Sequence, residues 1–161
     1  MKKRILSLAL LCFLLGACSS AGYRTDVSCA TVAEHICRRL PLTNGYAAFG
    51  DEKIEVTFPD AELLKEYAWL YSVDSADINE IGVFKAATQE AAKAAEVKLS
   101  DYLAEIQEHD RAFIASYAPT ELTKLDSAEI RRFGCYVILC ICQPEELAEC
   151  MEAASDLLSS T

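Results

Sequence analysis

The sequence predicts an α+β fold: a mainly antiparallel sheet of about four strands packed with a long central helix and flanking helices. Three observations lead there. Apolar residues recur at helical spacing from 88 to 116. Two runs rich in strand formers, 68–73 and 78–86, flank the turn-prone "DSAD" and form a hairpin pattern. A further run, 135–142, is apolar at both parities. Either helices cover both faces of its strand, the reading favoured by the helices available, or one face is a pocket or contact surface. Helical patterns interleave with strand pairs, which suits helices packed on an antiparallel sheet.

The elements follow in order. Cys29, Val32, Ala33, Ile36 and Leu40 mark a helix over 28–40, with Ser28 as N-cap and Pro41 as its stop. "PLTNGYAAFGDEK" is a loop, with Asn44-Gly45 as a turn signal. "IEVTF", 54–58, alternates and is expected as a short strand. Asp60 and Glu62 suit the start of a second helix ending near Glu66. The hairpin comes next, then the long helix. Ala91, Ala95, Leu99, Tyr102, Leu103, Ile106, Phe113 and Tyr117 are expected on its inward face. Pro119 restarts a shorter helix to about Ser127. The region 129–143 is the second strand region, where Gly134 marks a bulge or tight turn. Pro144, with Glu145 and Glu146 beside it, opens the last helix. Leu147, Cys150, Met151, Ala154 and Leu158 face its core side.

Ahead of these elements stand Lys2, Lys3 and Arg4, followed by the apolar run "ILSLALLCFLLGA" from Ile5 to Ala17. A membrane span needs about 20 apolar residues, whereas a secretory signal needs roughly 7–15. The run ends in "LGAC". An aliphatic residue, two small residues and a cysteine resemble the bacterial lipobox. That resemblance implies diacylglycerol attachment at Cys18, cleavage just before it, and an anchored protein on the extracytoplasmic face of the cell membrane. Residues 1–17 are then the signal peptide, 18–27 a lipidated tether and 28–161 a single domain. Two or three acyl chains hold stably where one is marginal, since each buried CH₂ adds about 0.8 kcal/mol.

Without residues 1–17 the chain keeps 144 residues, enough for one core. It keeps 12 of the 15 basic residues and all 25 acidic ones, a formal charge of −13. Such a surface repels nucleic acid, which is not an expected partner. The membrane, through Cys18, and a cell-surface protein are the expected partners. Six cysteines remain beyond Cys12 and Cys18: Cys29, Cys37, Cys135, Cys140, Cys142 and Cys150. Cys29 and Cys37 lie about 12 Å apart along one helix, too far to pair. Most of the six sit in apolar patterns and read as buried thiols that act as small hydrophobes.

The stretch "LLKEYAWLYSVDSADINEIGVFKA", the long charged helix with "YAPTELTKL", and "FGCYVILCICQ" together resemble a bacterial lipoprotein family, domain of unknown function 4358. The likeness rests on the strand Glu80 to Lys85 and the later strand Gly134 to Ile141, joined by the long helix. It implies a lipid-anchored exported domain and brings no activity with it. Cysteines stand here where aliphatic residues would be usual.

Sites of chemistry are sparse. Three thiolates at Cys140, Cys142 and Cys150 could hold zinc, but structural zinc sites favour closely spaced pairs on tight turns and a fourth ligand, and His35 and His109 are remote. No metal or other cofactor is expected. No nucleophile elbow, phosphate loop or H-E-x-x-H motif is present. The carboxylates sit at helix starts and outer faces, where solvation and the helix dipole explain them, and Lys85 reads as a strand-end lysine reaching water. No catalytic residue is expected. Three readings remain: a non-catalytic interaction or structural module, which needs an exposed apolar patch; a small-ligand or peptide-binding module, which needs a concave pocket; and, less favoured, an enzyme, which needs converging ionisable groups. If a pocket exists, Trp69, Tyr71 and Tyr136 are the candidate lining residues.

Overall fold

The computed structural model describes residues 22–41, 45–60 and 62–160. The expected signal peptide and Cys18 lie outside the described residues. The element order is α1 (Cys29–Cys37), β1 (Tyr46–Ala48), α2 (Asp51–Thr57), β2 (Leu64–Ser72), β3 (Glu80–Ala86), α3 (Gln89–His109), α4 (Arg111–Tyr117), a single 3-10 turn (Pro119–Glu121), α5 (Leu122–Ser127), β4 (Glu129–Phe133), β5 (Tyr136–Ile141) and α6 (Pro144–Leu158). Among the described residues one five-stranded sheet forms, in the order β1-β2-β3-β5-β4, with every neighbouring pair antiparallel. Among the described residues no helix is long and apolar enough to cross a membrane.

Both faces of the sheet are covered, the favoured reading of the two apolar parities of 135–142. On one face Ile81, Val83, Tyr136, Ile138 and Cys140 pack against Val32 and Ile36 of α1 and Met151 and Ala154 of α6. On the other, Trp69, Phe84, Val137, Leu139 and Ile141 pack against Ala92, Ala95, Leu99 and Tyr102 of α3. Ser28 caps α1 by accepting from the Thr31 amide, and Thr88 caps α3 by accepting from the Ala91 amide. Residues 22–27, read above as the end of the tether, run beside the end of α6. The Arg24 amide donates to the Leu158 carbonyl, and the Ser160 amide to that of Gly22.

Four expectations change. The run 54–58 is not a strand: it falls in α2 and the residue after it. Alternation over five residues also satisfies i, i+4, and Ile54 and Phe58 turn inward on that spacing while Val56 is 82% exposed. Asp51 and Glu52 in the first turn favour the helix. Residues 60–66 are not a helix either. Asp60 instead caps a turn, accepting from the Glu62 amide, and β2 starts at Leu64 because β3 offers a partner for its whole length. The long helix breaks at Asp110. The inward phase then shifts to Ile114, leaving Phe113 and Tyr117 62% and 77% exposed. Finally, the expected loop 41–53 contains β1, whose Tyr46–Ala48 pair with β2, and the first turn of α2. Gly134, for its part, takes φ +61° in a tight turn between β4 and β5, one of the two forms expected of it.

Candidate functional site

The side chains that stand out lie where β2 and β3 approach α3. Glu80 is the first residue of β3 and only 7% exposed. Its two carboxylate oxygens are both engaged: the Trp69 indole Nε1–H donates to one at 2.6 Å, and the Tyr102 hydroxyl donates to the other at 2.9 Å. Burial raises the Glu80 carboxyl to about 7, while the two hydrogen bonds and the nearby Lys53 ammonium oppose that shift. Burial and the adjacent carboxylate push the Tyr102 phenol far up, so it stays a donor.

Aromatic rings close around this carboxylate. Trp69 meets Tyr102 edge to face at 5.0 Å and Phe84 at 5.1 Å, and Phe49 meets Trp69 at 5.3 Å. Gly82, opposite Trp69 in the ladder, makes room for the Phe84 ring, which a Cβ there would strike. Lys53 of α2 reaches over the group. Its Nζ stands 4.2 Å from the Tyr102 centroid, 5.4 Å from Trp69 and 5.5 Å from Phe49.

Two cavities of about 380 and 390 Å³ adjoin here and share Lys53, Tyr102, Ile106 and Asp110 in their walls. Together they form a groove along α3, bounded by α2 on one side and by Tyr71, Ile78 and Phe113 on the other. Trp69 and Tyr71 therefore serve one site, Trp69 beneath it and Tyr71 in its wall. Tyr136 does not join them. It lies fully buried on the opposite face of the sheet, where its hydroxyl donates to the Val27 carbonyl at 2.5 Å. Register is the reason: Trp69 pairs with Gly82 and Gly82 with Leu139, so the odd-numbered residues of β5 share the Trp69 face.

Lys85 keeps a partly exposed side chain; its ammonium lies 3.6 Å from Glu66 and 5.4 Å from the Tyr136 ring centroid. A second polar cluster buries Lys124, which bonds Asp77 and Glu121, both at 2.7 Å. It ties α5 and the preceding turn to the end of the hairpin.

The cysteines lie mainly with the other face. All six are buried, and Cys29, Cys37, Cys140, Cys142 and Cys150 are thiols. Burial lifts Cys29 to about 12 and Cys37 to about 11. Hydrogen bonding to Cys150 and burial push Cys140 and Cys142 up as well. Among the described residues no group of three or more His, Cys, Asp or Glu side chains is arranged to hold a metal ion.

Glu80, Tyr102, Lys53 and Phe49 were not singled out from the sequence. A lone carboxylate opening the apolar strand "EIGVF" was the one local signal, since a charge at the head of a doubly buried strand needs partners. Chemically, a carboxylate with both oxygens engaged and a lysine overhead is placed to balance a cation.

No curated protein and no solved structure matches the chain. A family model does match, over residues 59–142, which takes in the stretches on which the resemblance rests: the strand Glu80 to Lys85, the long helix and the strand Gly134 to Ile141. That segment contains Trp69, Tyr71, Glu80, Tyr102 and Tyr136, while α2 and Lys53 lie before it. The chain belongs to the family of that model, the domain of unknown function DUF4358.

Proposed function

We propose that this protein is a lipid-anchored, extracytoplasmic binding module that holds a small ligand in the groove along α3 and carries out no chemistry of its own. One observation carries the reading: a concave groove whose floor is a buried, hydrogen-bonded Trp69–Glu80–Tyr102 group. Polar groups fixed beneath a wall of mixed apolar and acidic side chains select a ligand by orientation. The anchor is assigned to Cys18 on the lipobox-like "LGAC" after a charged, apolar leader. A lipid on that residue tethers the acidic domain at the outer surface of the membrane.

The reading is tested by extracting the full chain from its native membrane and weighing it by native mass spectrometry. A retained small molecule is expected, and it should be lost from Ile106→Trp, which fills both halves of the groove. Metabolic labelling with an alkyne fatty acid should mark the protein, and Cys18→Ala should abolish the mark. A second reading, an interaction module, is favoured by the exposed Phe113 and Tyr117, whose rings stack at 4.5 Å on α4. If no ligand is retained and a surface protein crosslinks through those two rings, the function passes to that patch.

A further inference from the structure

A passive apolar groove does not account for Lys53. Its ammonium stands within 5.5 Å of three ring centroids, those of Tyr102, Trp69 and Phe49, and the Glu80 carboxylate is bonded to two of those rings. Ring faces supply a negative quadrupole, and the carboxylate adds a net negative charge once it is ionised. Together these are what a cation needs after losing its water. The lysine is thus an occupant, supplied by the chain itself.

That occupant is held by little else. None of the residues of α2 is buried, and Gly50 offers no side-chain cap. Elements with few buried contacts open at low cost, and a lysine stem can swing its head to water. The two cavities share Lys53 and Tyr102, so withdrawal of the lysine frees the place over the Tyr102 ring, with Trp69 and Phe49 behind it, to a ligand in either cavity. Their walls are acidic: Asp77, Asp101, Glu105 and Asp110 outnumber Lys98 and Lys53. The chain as a whole carries −10, which draws cations toward it.

We infer that the groove binds a small organic cation, an alkylammonium or quaternary ammonium group. That cation displaces Lys53 from the ring of Phe49, Trp69 and Tyr102, and Lys53 acts as a tethered competitor that occupies the ring when no ligand is bound. The inference rests on the groove-binding reading above and names its ligand class.

Trp69 is the chain's one tryptophan, so its emission reports on this site alone. The full chain in a maltoside detergent is titrated with choline, with tetramethylammonium, and with 3,3-dimethyl-1-butanol, the uncharged isostere of choline. Both cations should change the Trp69 emission and the alcohol should not. Lys53→Ala should tighten choline binding about tenfold and Glu80→Gln should weaken it about tenfold, the worth of one desolvated cation–aromatic or charge contact. Circular dichroism checks that each variant is folded, and wild type against Lys53→Ala decides the matter if Glu80→Gln is not. Vesicles with choline headgroups that compete at equal headgroup concentration identify a lipid as the source. Vesicles that do not compete identify a free amine, and both results uphold the cation.

If the alcohol binds as well as choline, the charge selection is overturned while the groove reading stands. If neither binds wild type or Lys53→Ala, the cation inference is overturned. The retained-ligand experiment with Ile106→Trp then judges the groove independently.

Discussion

Glu80 is buried and its carboxyl is raised from the ordinary 4.5 to about 7. A carboxyl raised in the folded state holds its proton more tightly there than in the unfolded chain. The stability this gives is therefore fully present below pH 4.5 and is lost as the pH rises through 7. Two and a half units at 1.36 kcal/mol each put the loss at about 3 kcal/mol between pH 4.5 and pH 8. Replacing Glu80 with Gln removes the titration. The amide oxygen still accepts from Trp69, and its NH₂ can donate to the Tyr102 oxygen as the O–H of the protonated acid does, so the exchange is close to neutral where Glu80 is protonated. Glu80→Gln should thus match wild type at pH 4.5 and be about 3 kcal/mol more stable at pH 8, so the two profiles diverge as the pH rises. Urea unfolding followed by Trp69 emission at four pH values across this range measures both. Other titrating groups act alike in the two proteins and cancel in the difference. A difference that stays constant from pH 4.5 to pH 8 would refute the burial argument for Glu80.

Other expected outcomes are independent of that one. Gly82→Ala should cost about 1–3 kcal/mol, because the Phe84 ring it would strike is confined by Trp69 and Phe58 at 5.1 Å; a chemical-denaturation midpoint equal to wild type would contradict this. Lys124→Met should lower stability by roughly 3 kcal/mol, since Asp77 and Glu121 would lose the ammonium that pairs them in a buried setting. A double change that also replaces both acids should recover much of that loss in the same assay. The buried cysteines, with Cys29 lifted to about 12, should resist an aromatic disulfide reagent at pH 8 and react once urea unfolds the chain. Rapid labelling of the native protein would count against their burial.

Much of the fold is written locally. The 3.6-residue period of α1 and of α3 up to Tyr102, the cap Ser28, and the strand "EIGVFKA" each need only neighbours in the chain to be read. The double apolar parity of β5 also favours helices on both sides of the sheet. Short runs are different. Over 54–58 a two-residue and a four-residue period fit equally, and packing of the buried Phe58 and the partly buried Ile54 against the Trp69 face decides for helix. Asp60 to Glu66 has the signals of a helix start, yet the free edge of β3 recruits Leu64 onward as strand.

The site divides in the same way. Sequence alone determined that Trp69 and Tyr71 share one strand face, since side chains alternate along any strand. It could not say which parity of β5 joins them, because two registers, Trp69 with Gly82 and Gly82 with Leu139, lie between. That chain of pairings sends Tyr136 to the other face. Tertiary structure also brought Lys53, Trp69, Glu80 and Tyr102 together from α2, β2, β3 and α3. The pull of a buried carboxylate on donors and on a cation acts through space, so no spacing along the chain records it.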